Sequence, residues 1–372
     1  MPSVIIGGDV YPGIKSTPLL GAGNARCVFN GLTAWFENAD LCLANLEGPL
    51  TNVSTPIDKI GPLHAAAEAC IIGLKSAGIG LLNLGNNHIM DQGQQGLDST
   101  IRLCEENGLA YVGAGKNLEA AGRPIVKTLK GVRVGFLSYA EHEFGMADST
   151  EPGANPLNLV HFSRTVAAHR TEWDHLVVLV HGGNEYYPYP RPDLRELCQF
   201  LIDQGAKTVV CQHSHCAGCY ESYQGGHIVY GQGNLVFDER SSRACEQEGF
   251  LVALEIAGDG AARMRPLPFF QSPLTPGPDT DDAKAAPFLR HLEERSQAIL
   301  EPGFVEQQWK KFCRENSDRY LSLLQGYGWR VRQWDRRLRF LRFFRSKKQM
   351  QMWLQLLRCE SHRAALIGIL KD

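Results

Sequence analysis

The chain has 372 residues, 44% of them hydrophobic and 21% charged, with a formal net charge of −2. That length allows one large domain with an appendage or two domains, and the composition is that of a soluble globular protein, with no apolar run of membrane-spanning length. The charge is unevenly spread: from Trp309 onward 16 Lys and Arg face 5 Asp and Glu, which leaves 22 basic and 35 acidic residues before it, so nucleic-acid binding is not expected of the acidic main body.

The N-terminal "MPSVIIGGDV" lacks a basic leader region and a cleavage site and goes straight into a β-branched run. Val4–Ile6 is therefore read as the first strand, and a cytoplasmic location is expected. The eleven cysteines are odd in number and scattered, and Cys42, Cys104 and Cys198 lie inside apolar runs, as suits reduced thiols. Cys216 and Cys219 have the spacing of a redox or zinc motif, but no second pair completes four thiolates.

"SVIIGGD", "LCLANLE", "IGLLNLGNN", "VRVGFLSYA", "LVVLVHGGN", "TVVCQHSH" and "HIVYGQGN" are short apolar runs that each end in polar residues or glycine. Helical patterns over Ala65–Ala77, Gly96–Asn107 and Leu194–Gln204 lie between several of them. Continuous apolar strands separated by helices imply an α/β fold with its sheet covered on both faces. Ligands in such folds gather at the carboxyl ends of the strands, and Asp9, Glu47, Asn87, His88, His181, His213 and His215 fall there. A proline-, glycine- and aspartate-rich stretch, 271–287, reads as a linker between a domain over 1–270 and a basic helical region over 288–372.

Asp, Glu, Asn and His offered from several strand ends suit one or two divalent ions such as manganese, iron or zinc. Glu47 has two oxygens and can bridge a pair. In "HSH", His213 and His215 face one cavity if the segment is strand-like, each meeting a different ion. Two such ions would turn a bridging water into hydroxide near neutral pH, able to attack an amide or phosphoester centre. Glu185 is either a salt-bridged loop residue or an outer contact that holds His181 or a substrate amine. Glu141, His142 and Glu143 read as a solvated turn, with His142 kept as a candidate contact to the site. Asn234 is expected to support the metal loops. The basic, aromatic C-terminal region reads either as a helical hairpin packed on its own protein or as a contact with a membrane surface at the inner face or with a synthase.

The order "GGDVYPG", "LANLEGPLT", "LGNNHIMDQG", "HGGNEYYPYP", "QHSH" and "VYGQGNLVFD" resembles the successive signatures of the CapA family of capsule and poly-γ-glutamate synthesis proteins, in the calcineurin-like metallophosphoesterase superfamily. The resemblance runs from about Val4 to about Asp238, with looser support to about Phe270. It implies a four-layer α/β/β/α sandwich with a dinuclear centre. Asp9 and His215 would bind one ion, Asn87, His181 and His213 the other, and Glu47 would bridge; His88 would be the general acid, oriented by Asp91. It also implies a metal-dependent hydrolase or transferase in exopolymer synthesis. The alternatives are a phosphoesterase on a phosphorylated small molecule, such as a nucleotide sugar or lipid-linked intermediate, and a non-catalytic accessory subunit. Three positions depart from the superfamily pattern. Tyr11 stands where an imidazole is usual and leaves the first ion a ligand short, Gln212 replaces a glycine before "HSH", and Gly182 replaces a tryptophan, which is expected to open the pocket.

Overall fold

A computed structural model of the chain describes residues 1–372 apart from 60, 239–242, 273, 325–330, 332–333, 336–345 and 359–372. Two sheets dominate the first of its two compact units, Met1–Glu306. In the first sheet, β1 (Ser3–Tyr11), β2 (Leu41–Leu46), β3 (Ile79–Asn83) and β4 (Ala110–Val112) run parallel. β13 (Asn234–Phe237) pairs parallel with the end of β1, and the antiparallel β14 (Glu248–Ile256), β15 (Ala262–Gln271) and β16 (Pro278–Asp279) extend its other side. The second sheet has the order β11-β12-β10-β9-β7-β6, with β6 (Ile125–Leu129), β7 (Val132–Ala140), β9 (His175–His181), β10 (Thr208–Gln212), β11 (Tyr220–Tyr223) and β12 (Gly226–Tyr230). A small pair, β5 (Ala114–Gly115) and β8 (Gly153–Ala154), lies apart.

The side-chain alternation along each strand sorts the core into layers. Val4 and Ile6 of β1 and Leu41 and Leu43 of β2 pack with Val177 and Leu179 of β9 and Val210 of β10, between the sheets. The intervening Ile5, Cys42 and Ala44 face the helices Cys70–Ser76 and Gly93–Asn107, through Cys70, Ile71, Leu74 and Leu97. On the far side, Val178, Val180 and Val209 meet Phe162, Leu194 and Leu201 of the helices Leu159–His169 and Pro192–Asp203. The result is the expected α/β/β/α sandwich. Both faces of each central strand are covered, which is why those strands read as unbroken apolar runs.

The helix expected from Ala65 begins only at Cys70. Ala66 is taken instead by backbone bonds with Pro49 and Thr51 that tie the loop after β2 to the fold. The stretch 271–287 is not a break between units: it carries β16, paired with β15, and starts the helix Asp282–Ala298, whose Phe288 and Leu292 enter the core between the sheets. Proline, glycine and aspartate mark tight turns as well as linkers. The second unit, Gln307–Asp372, includes the helices Ser317–Leu324 and Lys347–Arg358 and most of the basic region, parts of which lie outside the described residues. Among the described residues, no helix is long and apolar enough to cross a membrane.

Phe136 on β7 is fully buried between the sheets. Truncating it leaves a cavity in the layer that fixes the sheets against each other, so Phe136→Ala should cost about 3–5 kcal/mol of stability, read by denaturant unfolding. A loss below about 1 kcal/mol would contradict this core assignment.

Candidate metal centre

Six candidate ligands from both sheets converge. Asp9 lies in β1 just past a register shift with β2, Glu47 follows β2 and Asn87 follows β3; His181 ends β9, while His213 and His215 follow β10. Two groups of ligand atoms lie within 4.8 Å of one another, Asp9–Glu47–His215 and Glu47–His181–His213, and they share Glu47. Asn87 joins the second, its Oδ1 2.9 Å from His181 Nε2, and His213 Nδ1 lies 3.2 Å from the same nitrogen.

Glu47 is fully buried, and neither of its carboxylate oxygens has a hydrogen-bond partner. His181, His88 and His215 nitrogens surround Oε1 at 3.8, 4.0 and 4.0 Å, beyond hydrogen-bond reach. Burial, then repulsion from Asp9, Glu185, Asp91 and Glu143, pushes its pKa well above the ordinary carboxylate range. Burial and the neighbouring imidazoles push His181 well below its usual range, and burial and His215 lower His213, so these rings favour the neutral, ligating form. A buried carboxylate without donors, facing neutral imidazoles and a carbonyl oxygen, is a donor set that fits divalent transition ions.

Hydrogen bonds hold the candidate ligands in place. Asn45 Nδ2 donates to Asp9 Oδ1 at 2.8 Å, and Asn45 Oδ1 accepts from Asn86 Nδ2 at 3.1 Å. Asn86 also donates to Leu46 O and accepts from the His88 backbone N–H. His215 Nδ1 donates to Asn234 Oδ1 at 2.8 Å, which leaves Nε2 facing Glu47. Asn87 Nδ2 donates to Glu143, a bond that turns its Oδ1 toward the histidines. His88 Nδ1 lies 2.6 Å from Asp91 Oδ2. Burial alone would raise Asp91, but hydrogen bonds from His88, the His64 backbone and Lys59 hold its pKa below the usual value, so the ionised carboxylate accepts from Nδ1.

Several expectations change here. β10 ends at Gln212, and His213 and His215 have φ of 96° and 54°, so the "HSH" segment is not strand-like. The rings reach one cavity through left-handed backbone, which costs about 1–3 kcal/mol at each non-glycine position. The space beside Gly182 is taken by Glu141: a Cβ there would sit 2.6 Å from Glu141 Cγ, and Glu141 is held in that place by Arg191. Of the "EHE" triplet, His142 is exposed, while Glu143 is the residue that contacts a candidate ligand. Glu185 acts on Glu47 and His213 through its charge. Tyr11 stacks on His64 at 3.9 Å, and His64 stacks on His88 at 3.9 Å. Asn45, His64 and Lys59 join the site without a motif of their own; the asparagine in "LANLE" close to Glu47 is the sequence signal for the first.

The description "Bacterial capsule synthesis protein PGA_cap" belongs to the family model that matches residues 3–239. The chain is 29% identical over 282 residues to "Capsule biosynthesis protein CapA" of Bacillus anthracis, covering 73% of this chain and 68% of the relative. It is also 29% identical over 322 residues to "PGA biosynthesis protein CapA" of Bacillus subtilis (strain 168), covering 85% and 83%. A solved structure described as a novel phosphatase from Mycoplasma pneumoniae aligns with a TM-score of 0.46 and 14% identity, over 72% of this chain and 93% of that one.

The raised pKa of Glu47 gives a pH signature. A carboxyl that keeps its proton longer when folded stabilises the fold at low pH, and that contribution is lost as pH rises from its unfolded pKa, about 4.3, to its raised folded pKa. The ion-free protein should lose about 1.4 kcal/mol per pH unit from this group within that window. Glu47→Gln should flatten that part of the curve, and a divalent ion should restore wild-type stability at neutral pH. Parallel melting curves for the two ion-free chains across pH would contradict the assignment.

Proposed function

The chain belongs to the PGA_cap family of bacterial capsule synthesis proteins, and from that premise we propose that its strand-end cluster is a metal centre serving a bond-breaking or group-transfer step in exopolymer synthesis. The buried, donor-free Glu47 carboxylate shared by two ligand groups carries this reading. Asp9, Glu47 and His215 would hold one ion, and Glu47, Asn87, His181 and His213 the other. Manganese, iron and zinc all suit these oxygen and nitrogen donors. When bound, such ions supply a nucleophile at neutral pH and polarise the bond under attack.

The chain's own residues do the rest. Asp91 keeps the His88 proton on Nδ1 and aims Nε2 into the centre, 4.0 Å from Glu47 Oε1. A protonated His88 Nε2 then stabilises developing charge or donates its proton to the leaving group. The relatives' names speak of capsule and PGA biosynthesis, and a polymer of the poly-γ-glutamate type attacked at an amide bond is the substrate we propose first. A phosphoester on a nucleotide sugar or lipid-linked intermediate is the competing substrate. The basic region beyond Glu306 is the candidate contact with an anionic membrane surface or a synthase, each basic residue near such a surface contributing about 1 kcal/mol. Full-length protein should sediment with anionic vesicles at low salt and be released at high salt; indifference to the vesicles at low salt would remove the membrane contact.

His213→Ala should lose more bound metal than Asp9→Ala, because the His213 group gathers three ligands around Glu47 while Tyr11 leaves the Asp9 group with two. His88→Asn should keep the metal and lose about 10²–10⁴-fold in turnover on a panel of phosphoester and γ-glutamyl amide substrates. Metal loss in His88→Asn would make His88 a ligand. Metal-loaded wild type with no turnover on the panel would favour the accessory role.

A further inference from the structure

The loop between β2 and the helix Cys70–Ser76 places a lysine where the proposed centre does not call for one. Lys59 lies in irregular backbone, yet its side chain is only 2% exposed. Lysine is almost never buried to that degree unless it is paired. Its Nζ donates to Asp91 Oδ1, lies 3.2 Å from His88 Nδ1, and sits 5.3 Å from the ring centroid of Phe144, on the loop after β7.

This arrangement divides Asp91 between two tasks. Oδ1 takes the ammonium, and Oδ2 takes His88 Nδ1–H and the His64 backbone N–H, each at 2.6 Å. With both oxygens engaged, the carboxylate has one orientation. The His88 ring is fixed at one edge by Oδ2 and on one face by His64, with rings 3.9 Å apart and 14° from parallel. His64, His88 and Asp91 also present three ligand atoms within 4.8 Å, a set that by donor type alone would read as a third ion site. The ammonium already supplies the cation there.

We propose that Lys59 is a positioning residue of this centre: its ammonium takes the cation place between His88 and Asp91 and holds His88 Nε2 toward Glu47. The role in turnover rests on the proposed function, whereas the positioning itself can be read without any reaction. Lys59 lies well along this loop from Glu47 and far in sequence from "GNNHIMD", so the centre then depends on a stretch of chain outside both.

The test compares wild type, Lys59→Met and Lys59→Arg, each prepared with manganese and, for spectroscopy, with zinc. In ¹⁵N-histidine-labelled protein the His88 Nδ1–H should give an exchange-protected resonance, identified by its absence from His88→Asn. Lys59→Met should lose that protection and keep the wild-type metal content, and Lys59→Arg should recover it at least in part. On any substrate that wild type turns over, Lys59→Met should lower kcat by about 10–100-fold with KM unchanged. A protected resonance in Lys59→Met overturns the proposal, as does metal loss in Lys59→Met as severe as in His213→Ala. A wild-type third ion that disappears in His64→Ala overturns it too. Should Lys59→Met fail to fold, Lys59→Gln carries the same readout. Wild type without metal or turnover would sink the proposed function, while the resonance would still decide the place of Lys59.

Discussion

A fully buried carboxylate with no hydrogen-bond donor is the constraint on which the rest of this site depends. An isolated buried charge costs many kcal/mol, and proteins avoid it by protonation, pairing or coordination. Here Glu47 stands one residue beyond a fully buried strand and is ringed by imidazoles too distant to donate to it. The surrounding asparagines could have supplied donors. Instead Asn45 and Asn86 turn to Asp9, Leu46 O and one another, leaving both Glu47 oxygens without a donor.

The two sheets must meet in register for that arrangement to exist. Asp9, Glu47 and Asn87 come from the first sheet, and His181, His213 and His215 from the second. Gln212 ties the sheets together: its Oε1 accepts from Asn83 Nδ2 at 3.0 Å and its Nε2 donates to Gly7 O at 2.8 Å. Its side chain is a strut at the point where the histidine loop begins. The left-handed backbone of His213 and His215 just beyond it is strain that a rigid anchor can sustain.

The sandwich was legible because its central strands are buried on both faces and their polar residues come at one end. The antiparallel β14 and β15 were not among the expected strands; prolines at 266 and 268 and arginines at 263 and 265 break the apolar run of β15. In the site, residue types and order pointed to the candidate ligands that converge, since carboxylates and imidazoles at strand ends are conspicuous. The supports were less visible. Lys59 and His64 sit in a loop with no period, and only the folded chain shows that they converge on His88. Glu143 is separated from Asn87 by more than fifty residues, and nothing local distinguishes it from a solvated turn.

Whether two ions share Glu47 is read most directly by X-ray absorption on the manganese- or zinc-saturated protein. Two ions sharing Glu47 give a first shell of nitrogen and oxygen only, and a metal–metal distance of about 3.5–4 Å that disappears in Glu47→Gln. Sulfur in the first shell, or a saturated protein with a single ion and no metal–metal distance, would contradict it.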